Sequence, residues 1–182
     1  MNSKVLCVTE TAVMLALLVA LQAITKPLGQ LVTGSFVNAI LAVTVLTAGL
    51  YSGLTVAALS PILAYLLGIA PQPLTVPAIM LGNAVFVSLL HFIAGRDRRK
   101  ILRQVLAWLS AAGAKFATLY FVVVWLFCDL LSKPLLASGT LKEPMLKLLT
   151  VTFSWPQLFT ALIGGAIALV VSPLLHKALR KM

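Results

Sequence analysis

Three consecutive segments decide the fold: VPAIMLGNAVFVSLLHFIA (residues 76–94), GRDRRK (95–100) and ILRQVLAWLSAAGAKFATLYFVVVWLFCDLL (101–131). The outer two are apolar and each is long enough to cross the ~30 Å hydrocarbon core of a bilayer as a helix. The link between them holds Arg96, Arg98, Arg99 and Lys100. A basic link between two apolar helices is what a chain leaves on the cytoplasmic side of a membrane. The pattern predicts two spans joined by an inside loop.

Working outward, four more runs qualify. The spans are expected at about 8–24, 31–50, 54–70, 76–94, 101–131 and 148–175. The first stops before Lys26-Pro27, the turn Gly49–Gly53 separates the second from the third, and Pro71-Gln-Pro73 breaks the third, because proline lacks the N–H a helix needs. Six spans of about 20 residues consume ~120 positions. Residues 1–182 are therefore read as a single six-helix transmembrane domain with short connections and no soluble domain. No internal repeat stands out.

Composition agrees. The chain is 61% hydrophobic and 10% charged, with mean hydropathy +1.08. A soluble domain is about half apolar and a quarter charged. A soluble enzyme, a disordered regulator and a disulfide scaffold are excluded. Fourteen Lys+Arg against four Asp+Glu give +10, but the positives sit at the ends of apolar runs rather than along an aromatic-lined groove, so nucleic acid is not the expected partner. Membrane lipid is.

Orientation follows from the same charges. With the N-terminus inside, the inner segments carry Lys4, Arg96, Arg98, Arg99, Lys100, Arg103, Lys177, Arg180 and Lys181, nine positives. The outer segments carry Lys26, Lys133, Lys142 and Lys147, four. An even number of spans places both the basic run and the tail inside, so both termini are expected in the cytoplasm. The first run is read as a membrane helix rather than a cleaved leader, because Glu10 is out of place in a positive leader.

The groups that an enzyme requires are missing. Asp129 and Glu143 lie near spans on the outer side, 14 residues apart, which is no acidic pair. No Walker loop, GxGxxG, CxxC or workable His-Cys, His-Glu or Ser-Lys arrangement is present. No catalytic residue, metal site or cofactor is expected, and uphill transport would draw its energy from another subunit or an ion gradient.

What the spans do contain is a small set of polar and small residues. Ala12, Ala16 and Ala20 share one stripe of the first helix, and small residues let another helix approach closely. Asn38 lies in the second span and Asn83 in the fourth; a buried Asn is either interhelical glue or a ligand contact. Lys115 lies midway along the fifth span. A charge there costs ~3 kcal/mol or more and by default faces a cavity or the bundle interior. It is either a ligand contact or a cation that snorkels or pairs internally. From Lys115, the positions Thr118, Val122, Trp125 and Asp129 follow at +3, +4, +3 and +4, one helical stripe that reads as a pocket wall. Trp155 and Gln157 open the sixth span, with Trp155 equally at home in an interfacial aromatic belt. The expected pocket lies in the outer half, between the fourth, fifth and sixth helices. Lys115 has no obvious acid in reach: Asp129, 14 residues along, is ~21 Å away on a helix, and Glu10 belongs to the inner end of the first helix. A ligand carboxylate would supply the missing charge, with a neutral heteroaromatic as the competing possibility.

Length, helix count, topology and the Ala12-x-x-x-Ala16-x-x-x-Ala20 stripe together resemble the substrate-binding S components of energy-coupling factor (ECF) transporters. The segments Val32–Asn38, Ala48–Gly53 and Leu67–Pro71 are similar to members of unassigned substrate. The resemblance covers nearly the whole chain. It implies a subunit of the bacterial plasma membrane that captures a vitamin or precursor outside and delivers it inward. Its partners would be a transmembrane coupling subunit, docked on Ala12, Ala16 and Ala20, and two cytoplasmic ATPases. The alternatives from the residues alone are a stand-alone small transporter or channel, and a structural assembly protein.

Overall fold

The computed structural model describes residues 3–69, 72–95 and 101–179. The basic run at 96–100, Pro71 and the tail at 180–182 lie outside them. Helix α1 is Ser3–Thr25, extended by the 3₁₀ turn Lys26–Leu28; α2 is Gln30–Ala48; α3 is Leu50–Leu66; α4 is Thr75–Ala94. Helix α5, Ile101–Leu119, runs on as a π-helix over Tyr120–Leu130. Two short helices follow, α6 (Ser132–Ala137) and α7 (Glu143–Thr152), and then α8 (Trp155–Leu179). There is no strand among the described residues.

Among the described residues five stretches are long and apolar enough to cross a membrane, and α3 is a sixth, shorter apolar helix. Its 17 residues span roughly 25 Å at 1.5 Å per residue. The chain is an all-α, multi-pass membrane protein.

Glycine explains how such tight reversals are made. Gly29 (φ 88°, ψ 173°) is the single residue between the 3₁₀ turn and α2, and Gly49 (φ 91°, ψ −178°) the single residue between α2 and α3. That corner of φ/ψ space is essentially closed to residues with a Cβ. The expected turn over Gly49–Gly53 is thus one residue, and α3 begins at Leu50, four residues earlier than its apolar run suggests. The sixth span also differs from expectation. It is not continuous over 148–175: α7 ends at Thr152 and α8 starts at Trp155. Pro156 sits in the first turn of α8, where a missing N–H costs nothing.

Helices α2 and α8 pack backbone to backbone. A Cβ on Gly164 would lie 2.6 Å from the Ser35 carbonyl oxygen and 2.7 Å from the Ala39 nitrogen, and one on Gly34 would lie 2.8 Å from the Thr160 methyl. Small residues at such crossings replace the hydrophobic drive that lipid does not supply. Gly164→Ala is therefore expected to cost about 1–3 kcal/mol by overpacking, read as a lower unfolding temperature in detergent. An unchanged melt would mean that the two helices slide apart freely.

The apolar core lies among α2, α3, α4, α5 and α8 and includes Leu41, Val56, Phe86, Val87, Leu90 and Ala111, each at most 2% exposed. A second cluster, with Leu119, Val123, Leu149 and Phe153, gathers around the π-helix and α7. Helix α1 stands at the edge. Leu18 is buried at 1%, whereas Val8, Val13 and Leu17 are exposed. Polar pins hold it: the Thr11 hydroxyl donates to Ser52 Oγ at 2.7 Å, and Thr33 Oγ1 donates to the Thr25 carbonyl at 2.8 Å. Ala12, Ala16 and Ala20 all face away from the bundle and are exposed.

Candidate functional site: a polar cavity around Lys115

Four helices each bring a polar side chain to one level of the bundle. Asn38 lies eight positions after Gln30, where α2 begins, and Asn83 eight positions after Thr75, where α4 begins. Eight residues are about 12 Å of helix. Lys115 on α5 reaches between them. Its Nζ donates to Asn38 Oδ1 at 2.5 Å and to Asn83 Oδ1 at 2.6 Å. The Phe86 ring centroid lies 5.4 Å from the same Nζ, close enough for a cation–π contribution. Asn38 spends its amide nitrogen on the Gly34 carbonyl at 2.9 Å and on Thr160 Oγ1 of α8 at 3.2 Å. Lys115, Asn38, Asn83 and Thr160 are 3%, 1%, 1% and 0% exposed.

The lysine partners are neutral. Among the described residues no carboxylate reaches Lys115, and Asp129 and Glu143 are exposed. Two amide oxygens and a ring face solvate the ammonium but leave its charge uncompensated, an arrangement that costs several kcal/mol unless something else faces it.

Something can. A cavity of about 170 Å³ adjoins Lys115, Asn38, Asn83 and Gln157. Gln22 and Lys26, at the end of α1, and Thr33, Ile79, Leu119 and Phe153 complete much of its wall. It lies toward the end of the bundle where α1 stops and α2, α4 and α8 start. Lys26 Nζ donates to the Gly68 carbonyl at 2.6 Å, tying the α1–α2 turn to the segment after α3. Gln157, 6% exposed, donates through Nε2 to the Thr152 carbonyl at 3.1 Å and so anchors the α7–α8 break. Among the described residues no group of three His, Cys, Asp or Glu could hold a metal ion.

Of the residues singled out in the sequence, Asn38, Asn83, Lys115 and Gln157 come together at this cavity. Thr118, Trp125 and Trp155 lie outside its lining. Thr118 Oγ1 donates to the Ala114 carbonyl of its own helix at 2.8 Å. Trp125 is 44% exposed and stacks on Phe121, and Trp155 is 64% exposed and stacks on Phe116. The reason for Trp125 is the π-helix. Past Leu119 the backbone bonds five residues apart, as in Leu131 N–H to the Leu126 carbonyl at 2.9 Å, and each residue turns less about the axis. A stripe laid out at 3.6 residues per turn drifts off its face. The buried line is instead Lys115, Leu119 and Val123.

The cavity also draws on α1 and α2, outside the expected set of the fourth, fifth and sixth helices. Gln22 was missed. The sequence carries a signal for it, an amide within the first apolar run, on the face that the structure buries through Leu18 and Thr25.

A bundle of apolar membrane helices around a polar cavity fits a small-molecule carrier. The family model of the ECF transporter substrate-specific component matches residues 9–176. The chain belongs to that family. No curated protein and no solved structure matches it. As a substrate-specific component it is a transport subunit and a multi-pass membrane protein, and the family implies a small-molecule substrate. Within this S component, the match runs through every helix that borders the cavity.

Proposed function

We propose that this S component binds a vitamin or related micronutrient in the cavity at Lys115, at the outer face of a bacterial plasma membrane. It delivers the substrate to the cytoplasm in complex with a transmembrane coupling subunit and two ATPases. The observation that carries the reading is the buried, uncompensated Lys115 at the wall of a cavity formed by five separate segments of chain. A merely structural lysine needs no such cavity beside it. Both termini face the cytoplasm in this reading, which puts the nine-to-four majority of basic residues inside and opens the cavity outward.

Asn38, Asn83, Lys115 and Gln157 contact the substrate. Ala12, Ala16 and Ala20 form the docking face for the coupling subunit, which their exposure on α1 allows. Native mass spectrometry of the purified protein is expected to show a retained small molecule. Expression in a bacterium that carries the ATPase module is expected to bring those subunits through purification. A chain that transports the substrate alone, with no ATPase in the preparation, would favour a stand-alone transporter instead.

A further inference from the structure

The hydrogen-bond inventory of the cavity narrows the substrate. An ammonium is donor-only, so both asparagines facing Lys115 must turn their carboxamide oxygens toward it. Their NH₂ groups are then pushed away from the lysine. Asn38 spends its own on Gly34 and Thr160. Asn83 does not: its Nδ2 is buried without an acceptor, on a residue 1% exposed that lines the cavity. Lys115 has three protons and two protein acceptors. This floor therefore offers unspent donors from two adjacent groups, one of them cationic. Gln22 shows the opposite need. Its Oε1 is buried and accepts nothing, and it too lines the cavity. Gln22 lies three positions before the end of α1 at Thr25, about 5 Å of helix, whereas Asn38 and Asn83 lie about 12 Å along theirs. The acceptor sits nearer the α1–α2 end of the bundle than the donors.

We infer that the substrate is bifunctional: a carboxylate whose two oxygens take Lys115 Nζ and Asn83 Nδ2, and an N–H or O–H donor group that meets Gln22 Oε1. Asn83 and Gln22 are then the residues that set specificity. Asn83 rejects neutral analogues by leaving its donor unpaired, and Gln22 fixes which end of the molecule goes in first. The inference rests on the cavity being the substrate site. Burial supports the discrimination, since a buried polar group left without its partner loses far more than an exposed one.

The test uses the purified full chain in detergent, with ligand binding followed by calorimetry. The probes are three acids and their neutral counterparts: nicotinate and nicotinamide, pantothenate and pantothenol, biotin and its methyl ester. The molecule retained in native mass spectrometry joins them. The bound species is expected to carry a carboxylate, and its neutral counterpart to bind about tenfold or more weakly. Asn83→Asp still accepts from Lys115 but replaces the donor with a negative charge; it is expected to lose binding of the acid by more than about tenfold. The new carboxylate repels that of the ligand and pairs with Lys115 in its stead. Gln22→Glu keeps an acceptor and is expected to retain binding, whereas Gln22→Leu loses it; this pair on the bundle edge stands even if Asn83→Asp does not fold. Equal affinity for acid and neutral counterpart, or unchanged binding in Asn83→Asp, overturns the donor pair and leaves the cavity as the substrate site. Neither a retained molecule nor binding of any probe overturns both.

Discussion

Lys115→Met is expected to lower substrate affinity well over tenfold, more than ~1.4 kcal/mol, with Lys115→Arg keeping part of it. Methionine matches the lysine stem and removes the charge. A hydrogen bond to a charged group contributes about 1.5–3 kcal/mol, and the substrate would lose that together with its counter-ion. Arginine keeps the charge, but its planar fork does not fit where Asn38 and Asn83 receive one compact ammonium at 2.5 and 2.6 Å. Stability should move far less than affinity, because two effects oppose each other. Methionine removes an expensive buried cation, while the two asparagine oxygens lose their donor. Titration of the substrate against both variants, alongside their melts, separates the roles. Unchanged affinity in Lys115→Met would make Lys115 a structural cation and would remove the basis of the proposed site.

Ala16→Trp is expected to abolish transport and co-purification of the coupling subunit while leaving substrate binding by the isolated protein intact. Ala16 is exposed in the middle of a stripe with Ala12 and Ala20. Leu18, a buried residue of this helix, lies two positions on, about 160° around the axis at 3.6 residues per turn. Gln22 lies six positions on, about 120° away. An indole at Ala16 therefore reaches neither the core nor the cavity. It fills the space that a partner helix needs for close approach. Pull-down and uptake assays read the loss, and calorimetry reads the retained binding. Assembly and transport at the level of the unchanged chain would make the stripe an ordinary lipid-facing surface.

The apolar runs were legible because a membrane asks for one property over a fixed length, and that property survives any detail of packing. Their edges were less so. A single glycine at Gly49 reverses the chain, and hydropathy does not register a one-residue turn. Lys115, Asn38, Asn83 and Gln157 stood out because a polar group in an apolar span must be answered by something. Sequence could name them but not pair them: the meeting of Asn38 with Lys115, 77 positions apart, is a product of helix packing. The stripe that sets Trp125 beside Lys115 assumes α-helical pitch, and the π-helix over Tyr120–Leu130 turns Trp125 away from this cavity. Gln22 is harder to single out, because the alanine stripe dominates the pattern of its helix. In structure it faces two ways, with alanines outward and glutamine to the cavity.

The reversals at Gly29 and Gly49 have a practical side for anyone who wants to mark this protein. Residues 3–66 form three helices with no slack between them, so an epitope or a cleavage site placed there would have to unwind a helix to be seen. The connection between α6 and α7 is different. Ser138, Gly139 and Thr140 are all exposed, and the two hydroxyls bond only to each other and to the neighbouring Leu135 carbonyl. Foreign sequence belongs there, where it disturbs neither the helix ladder nor the cavity, and where a reporter can state which side of the membrane it occupies.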